Sequence, residues 1–394
     1  MGPVIEHGIG NEPSGTRLRR RRVLGWAAGA LAVPVLGRGG TRAQEASPAA
    51  GQTPEPSPET SASPEGSATP ASREPIFSGT PAARRGAVTV YSGRSENLVG
   101  PLFSALNAAS GIDIEVRYAG TGELAATLLE EGANSPASAF FAQDAGALGL
   151  LALEGLFAPL PQAILDRVPE TYRSPEGLWV GVTARARVLA YNTGSVDEAE
   201  LPASVNDLTG ERWTGTVGWA PENASFQAFI TAFRLIEGDD VARQWLEAMI
   251  ANGVQNFGDS NAAIVRAIGA GEIEAGLVNH YYLYAVGREE GADFPVANHF
   301  FAPGDPGSLV NVAGYGVLAD APEPELALEV LEALLGDESQ RYFTEETSEY
   351  ALVEGVEPLA SLPPLAEIGA PDLDLSDLAD LQGTLDLLAE VGLI

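Results

Sequence analysis

Four short stretches carry side chains able to do chemistry. Asn279-His280-Tyr281-Tyr282 follows the apolar run 275–278, so a nitrogen-bearing ring and two phenols would leave a buried strand together and line a cleft. Ordinary half-buried packing of adjacent tyrosines is the competing reading, and for His280 the competitor is a hydrogen-bonded loop histidine. Pro221-Glu222-Asn223-Ala224-Ser225 and Ser260-Asn261 each precede an apolar-periodic helix. The free main-chain N–H groups there, with the Ser225 hydroxyl, can cradle an anion or simply be capped. Arg94-Ser95 follows the first strand, where a guanidinium grips an anion bidentately or stays solvated.

The elements that must position these residues alternate between strand and helix. Residues 87–91 are a β-branched run, and Leu98, Leu102, Phe103 and Leu106 then recur at helical spacing. Residues 112–116 alternate as a second strand, 123–131 read as a helix and 137–141 as a third strand. The pattern returns with strands at 215–219 and 275–278 and helices at 225–236, 241–250 and 262–270. This is α/β grammar in two units with largely parallel sheets, and ligands of such folds lie outside the carboxyl ends of the strands. Residues 187–191 and 308–318 are apolar strands placed where a chain would cross between two lobes. Trp179, Trp213, Trp219 and Trp245 read as packing, and 373–393 as one amphipathic helix.

Composition removes several classes of function. The 394 residues carry 54 acidic side chains against 22 basic ones, a formal charge of -32, so a general nucleic-acid-binding role lacks its basic footprint. With no cysteine there are no disulfides, thiol nucleophiles or thiolate metal sites, and because every basic residue is arginine there is no Schiff-base or phosphate-loop lysine. Three histidines, no Gly-x-Ser-x-Gly elbow and no His-Glu-x-x-His helix leave no credible hydrolase, and the chain is not expected to be an enzyme. The acidic surface of an exported protein serves solubility, or sets up a field that gathers cations near the cleft mouth.

The N-terminus reads as an export address. Arg17 and Arg19 to Arg22 precede the apolar run 23–36, which is short for a membrane span, and Arg20-Arg21-Arg22-Val23-Leu24 fits the twin-arginine form. Residues 1–43 are expected to be a signal peptide cut after Thr41-Arg42-Ala43, with an uncleaved membrane anchor as the alternative. Residues 44–86, rich in Pro, Ser, Thr and Glu, read as a disordered tether to a membrane or wall.

Together, Val88-Thr89-Val90-Tyr91-Ser92-Gly93-Arg94, Phe140-Phe141-Ala142-Gln143-Asp144, Arg185-Ala186-Arg187-Val188, Gly271-Glu272-Ile273-Glu274-Ala275 and Asn279-His280-Tyr281-Tyr282 resemble the ferric-ion-binding proteins, the periplasmic solute-binding components of iron ABC importers. The resemblance runs from Ala87 to the C-terminus. It implies a two-lobed periplasmic-binding-protein fold of the class II type, hinged and closing on Fe(III) as cargo, with a membrane permease as partner and the protein acting as a monomer. The implied division is 87–190 with 308–362 as lobe 1 and 191–307 with 363–394 as lobe 2.

Carried over by position, Tyr281 and Tyr282 resemble the phenolate ligands, Asn261 and Asn279 the residues that hold a synergistic anion, and Asn223, Ala224 and Ser225 the anion-binding helix start. The departures are Ser95 and Gln143, where the best-known branch has His and Glu ligands, and Ser225, near which another branch has a third tyrosine. Two phenolates leave one positive charge on Fe(III) that neutral Ser95 and Gln143 do not remove. The expectation is that carbonate, phosphate or a citrate-like anion, held by Arg94, Asn223, Ser225, Asn261 and Asn279, completes the shell, with Asp144 as a substitute carboxylate. The alternative is the same fold binding another solute: a small oxyanion, phosphonate, polyamine or thiamine.

Overall fold

The computed structural model describes residues 76–78 and 82–394. The expected signal peptide lies outside the described residues, as does most of the expected tether. The end of that tether belongs to the folded body. Ile76 and Phe77, the first large apolar residues after the polar stretch, pack on the core, and Ser78 donates to the Glu338 carboxylate through N and Oγ.

In chain order the first half is β1 (Gly86–Ser92), α1 (Glu96–Ser110), β2 (Ile112–Tyr118), α2 (Thr121–Glu131), β3 (Ala139–Ala142), α3 (Ala145–Leu153) and α4 (Gln162–Leu165), followed by the long strand β4 (Val180–Asn192). The second half has β5 (Val217–Trp219), α5 (Ala224–Glu237), α6 (Asp239–Ala251), β6 (Gln255–Asn256), α7 (Asn261–Ala270), β7 (Ala275–Asn279), α8 (Tyr281–Glu290) and β8 (Val296–His299). The chain returns through β9 (Val310–Val317), α9 (Pro324–Leu334), α10 (Asp337–Glu346) and β10 (Tyr350–Ala351), and ends with α11 (Leu381–Glu390).

Two half-sheets share β4. In the first, β2 and β3 flank β1 in parallel, and β9 runs antiparallel between β3 and residues 180–186 of β4. In the second, β5 is parallel to β6 and β7, while β7 and β8 pair antiparallel with residues 187–192 of β4. The parallel pairs are the βα units legible in the sequence, and the antiparallel pairs arise where β4 and β9 cross between halves. The switch falls between Ala186 and Arg187, beside Leu309, whose carbonyl accepts from the Arg187 N–H. The first half therefore gives way to the second about four residues before the expected boundary at 190. Every residue of β4 is buried, as suits a strand covered on both faces.

The four tryptophans expected to pack are all buried. Trp219, Phe226, Phe229 and Trp245 form an edge-to-face cluster that fixes α5 against β5 and α6, with Trp219 5.4 Å from Phe226 and Trp245 5.7 Å from Phe229. A second apolar cluster, including Val188, Ile264, Val265, Ile268, Val278 and Val286, seats α7 and α8 on the other face.

The expected single helix over 373–393 is instead a 3₁₀ turn (Leu375–Ala379) and α11, broken at Asp380. The turn packs on α3, where Gly146 and Gly149 let the carbonyls of Leu378 and Ser376 approach the helix backbone. Beyond the break, α11 packs on α5. Arg234 donates to the Asp380 carbonyl and carboxylate and to Thr384 Oγ1. The segment assigned wholly to the second lobe thus touches both halves, because two glycines one helical turn apart offer the first half a surface without side chains. Among the described residues no helix is long and apolar enough to cross a membrane.

Candidate metal and anion site

The carboxyl end of β7 delivers Asn279, then His280, and α8 begins at Tyr281. The tyrosine pair, read from sequence as following a strand, thus sits in the first turn of a helix. The two rings lie 4.6 Å apart at 34° and are half-buried. Burial pushes the Tyr281 phenol well above the usual range. Tyr282 adds to this, while Arg185 and Asn279 pull the other way.

The start of α5 stands beside them. Asn223 caps the helix, its Oδ1 accepting from Ser225 N at 2.9 Å and Ser225 Oγ at 2.6 Å, and its Nδ2 donates to the Asp259 carbonyl. Ala224 is the first residue of the helix. Ser225 Oγ also accepts from Arg187 Nη1 and from Asn261 Nδ2, both at 3.3 Å. The hydroxyl proton is therefore spent on Asn223, which leaves main-chain N–H groups and arginines as the donors for an anion.

Arg94 does not serve as the expected anion clamp. Its Nη1 and Nη2 form a fork on the Glu349 carboxylate at 2.9 and 2.6 Å, with both side chains buried. Burial works against the Arg94 charge, but Glu349 overrides it and holds the guanidinium above its ordinary pKa. Burial likewise opposes the Glu349 charge, and Arg94 overrides that, holding the carboxyl below the usual glutamate range. The fork takes the Nη1–Nη2 edge of the guanidinium and leaves Nε buried without a partner.

The cations at the tyrosines are Arg185 and Arg187, which the sequence reading left without a role. They alternate along β4 and so share a face. Arg185 Nη1 and Arg187 Nε are buried without hydrogen-bond partners, as is Asn279 Nδ2. Burial lowers the pKa of Arg185, against the opposing pull of Tyr281, Asp144 and Glu349. It takes Arg187 down to about 9, against the pull of both tyrosines. Arg187 also lies 5.4 and 5.2 Å over the rings of Phe226 and Phe229 and donates to the Leu277 carbonyl. Two arginines inside an otherwise apolar buried strand were the available signal, since buried charges demand partners.

The remaining candidates are used differently. Ser95 is exposed at the N-cap of α1 and makes no side-chain cap. Gln143 is half-buried, and its main-chain N–H donates to Thr121 Oγ1. Asp144 caps α3, accepting from Ala147 N at 3.3 Å, while its charge faces Arg185. Among the described residues, no hydrogen bond or ring contact joins Ser95 or Gln143 to the tyrosines. His280 is fully buried, and both ring nitrogens are held by main-chain groups, so it neither lines a cleft nor offers a metal a lone pair. Burial lowers its pKa to about 4.

The donor set fits a hard cation with an anion. Two phenols supply anionic oxygen once ionised, and the unpartnered N–H groups of Arg185, Arg187 and Asn279 suit a bound anion. Among the described residues no cluster of three His, Cys, Asp or Glu side chains could hold a metal.

Residues 136–372 match the family described as bacterial extracellular solute-binding protein. The Fe(3+)-binding periplasmic protein of Serratia marcescens is 32% identical over 309 residues, covering 78% of this chain and 90% of the relative. Iron-bound HitA from Pseudomonas aeruginosa superposes with a TM-score of 0.72 at 32% identity, over 78% of this chain and all of that one. A Trichodesmium protein solved with iron and citrate gives 0.68 at 29% identity, again over 78% of this chain and all of that one. The chain belongs to the bacterial extracellular solute-binding proteins, two-lobed components of transport rather than enzymes.

Proposed function

We propose that this protein is the extracytoplasmic receptor of an iron ABC importer, taking Fe(III) between Tyr281 and Tyr282 together with a synergistic anion and passing it to a membrane permease. It acts as a monomer in the periplasm or at the cell surface. The observation that carries the reading is the pair of adjacent phenols at the start of α8, facing Arg185 and Arg187. The iron-binding names of the Serratia relative and the Pseudomonas structure support the same cargo.

Charge counting supports a multiply charged anion. Fe(III) with two phenolates leaves one positive charge, Arg185 and Arg187 add two, Asp144 removes one, and Arg94 and Glu349 cancel. A carbonate dianion or a citrate-like polycarboxylate balances that remainder better than a monoanion. The Trichodesmium protein, bound to iron and citrate, is consistent with such a partner. Each phenol must lose its proton to the metal, so binding weakens in acid, by about 100-fold per pH unit when two protons are displaced.

The test is Tyr281→Phe and Tyr282→Phe, which keep each ring and remove one anionic oxygen. Each variant is expected to lose the visible phenolate-to-iron absorption in large part and to release iron at least about tenfold faster. Unchanged iron content and colour in both variants would sink the assignment. Tight binding of an anion without iron would favour the alternative solute.

A further inference from the structure

His280 stands between the last residue of β7 and the first ligand tyrosine, and its ring is fully buried. Its main-chain N–H donates to the Ala186 carbonyl at 3.0 Å, and Nδ1 accepts from the Ala186 N–H at 3.1 Å. A main-chain N–H can only donate, so Nδ1 is the unprotonated nitrogen and the ring proton is on Nε2. Nε2 donates to the Ser348 carbonyl at 2.7 Å.

Each end of that link is unusual. Ala186 is the residue at which β4 passes from one half-sheet to the other. Ser348 is, among the described residues, the only non-glycine at positive φ, at 59°. The next residue, Glu349, carries the fork on Arg94. The last turn of α8 reaches the same corner, where Arg288 donates to Ser348 Oγ at 3.3 Å and to the Glu346 carbonyl at 3.2 Å. The helix has no side-chain N-cap, and His280 is itself helical at φ -54°. At this junction the main chain of His280 is held by Ala186 and by Asn298, whose Nδ2 donates to the His280 carbonyl at 2.9 Å, while the ring adds the tie to the Ser348 carbonyl.

We propose that His280 is a positioning residue, whose Nε2–H bond to the Ser348 carbonyl sets the direction of α8 and thereby the geometry of the Tyr281 and Tyr282 phenols. This rests on the reading of those tyrosines as iron ligands. The ring ties the ligand helix to the crossing strand and to the corner that leads into Glu349 and Arg94, so movement at either is felt by the phenols. Groups that orient ligands from behind commonly change metal affinity by about 10–100-fold when removed.

The test uses the full chain, loaded with ferric iron and the anion that gives colour. His280→Asn keeps an acceptor near Nδ1 but cannot reach Ser348, whereas His280→Gln retains a donor at the Nε2 position. His280→Asn is expected to shift the visible band and speed iron release by about tenfold or more, while His280→Gln stays within about threefold of wild type at a similar loss in melting temperature. Arg288→Gln, which loosens the same corner from the far end without entering the core, is expected to speed release about threefold. It serves as the readout if His280→Asn fails to fold. An unshifted band and wild-type release in His280→Asn, equal effects in Asn and Gln, or wild-type release in Arg288→Gln would overturn the proposal. A wild-type protein with no iron band would instead overturn the iron reading on which it rests.

Discussion

Arg94 and Glu349 are 255 residues apart and share a fork in which neither charge reaches water. Removing one partner of such a pair leaves the other buried and uncompensated, at a cost of about 3–5 kcal/mol. Glu349→Gln is therefore expected to lower unfolding stability by about that amount at neutral pH, measured in denaturant. The pair also sets a pH dependence. The folded Glu349 carboxyl lies below the usual glutamate range, so the unfolded chain takes up its proton first as the pH falls. The stabilisation is complete above the ordinary glutamate pKa and is lost as the pH falls through the folded one; Glu349→Gln should flatten this acid limb. None of this was legible near Arg94, where a strand-end arginine looks free until its distant partner is known. The tyrosine pair was legible because the chemistry lies in two adjacent residues. Arg185 and Arg187 were visible as charges in an apolar strand, but their facing the phenols depended on a register that one strand does not reveal.

Elements with clear periodicity were legible, since alternation in β2 and the 3.6-residue pattern in α1, α5, α6 and α7 are set by burial of one face, while β1 stood out as a β-branched run. The start of α8 was hidden because Tyr281 and Tyr282 interrupt the apolar pattern at its first turn. The C-terminal segment was misread as one helix because leucine spacing carries across Asp380, where the backbone leaves the helical region. That segment gives an element-scale prediction. A helical Gly→Ala change ordinarily helps by about 0.5–1 kcal/mol. A Cβ on Gly149 would meet the Ser376 carbonyl, whereas one on Gly122 meets nothing within 4 Å. Gly149→Ala is expected to destabilise by about 1–3 kcal/mol in chemical denaturation, with Gly122→Ala neutral or stabilising as the control. Equal gains in both would show that the turn at 375–379 does not pack closely on α3.

For the whole molecule, charge acts at two depths. The surface supplies most of the formal charge of -32, while the centre between the half-sheets gathers three buried arginines against Glu349 and Asp144. On the proposed reading the acidic exterior gathers a cation, and the buried arginines, which would repel it alone, call for an anion to accompany it. The most direct measurement is metal content together with the visible spectrum of the purified full chain, taken after loading with ferric iron in a non-coordinating buffer and then with carbonate, phosphate or citrate. The expected result is one iron per chain and a phenolate absorption band that appears only when a multiply charged anion is present. A colourless protein without stoichiometric iron under every anion, or full colour with none added, would contradict it.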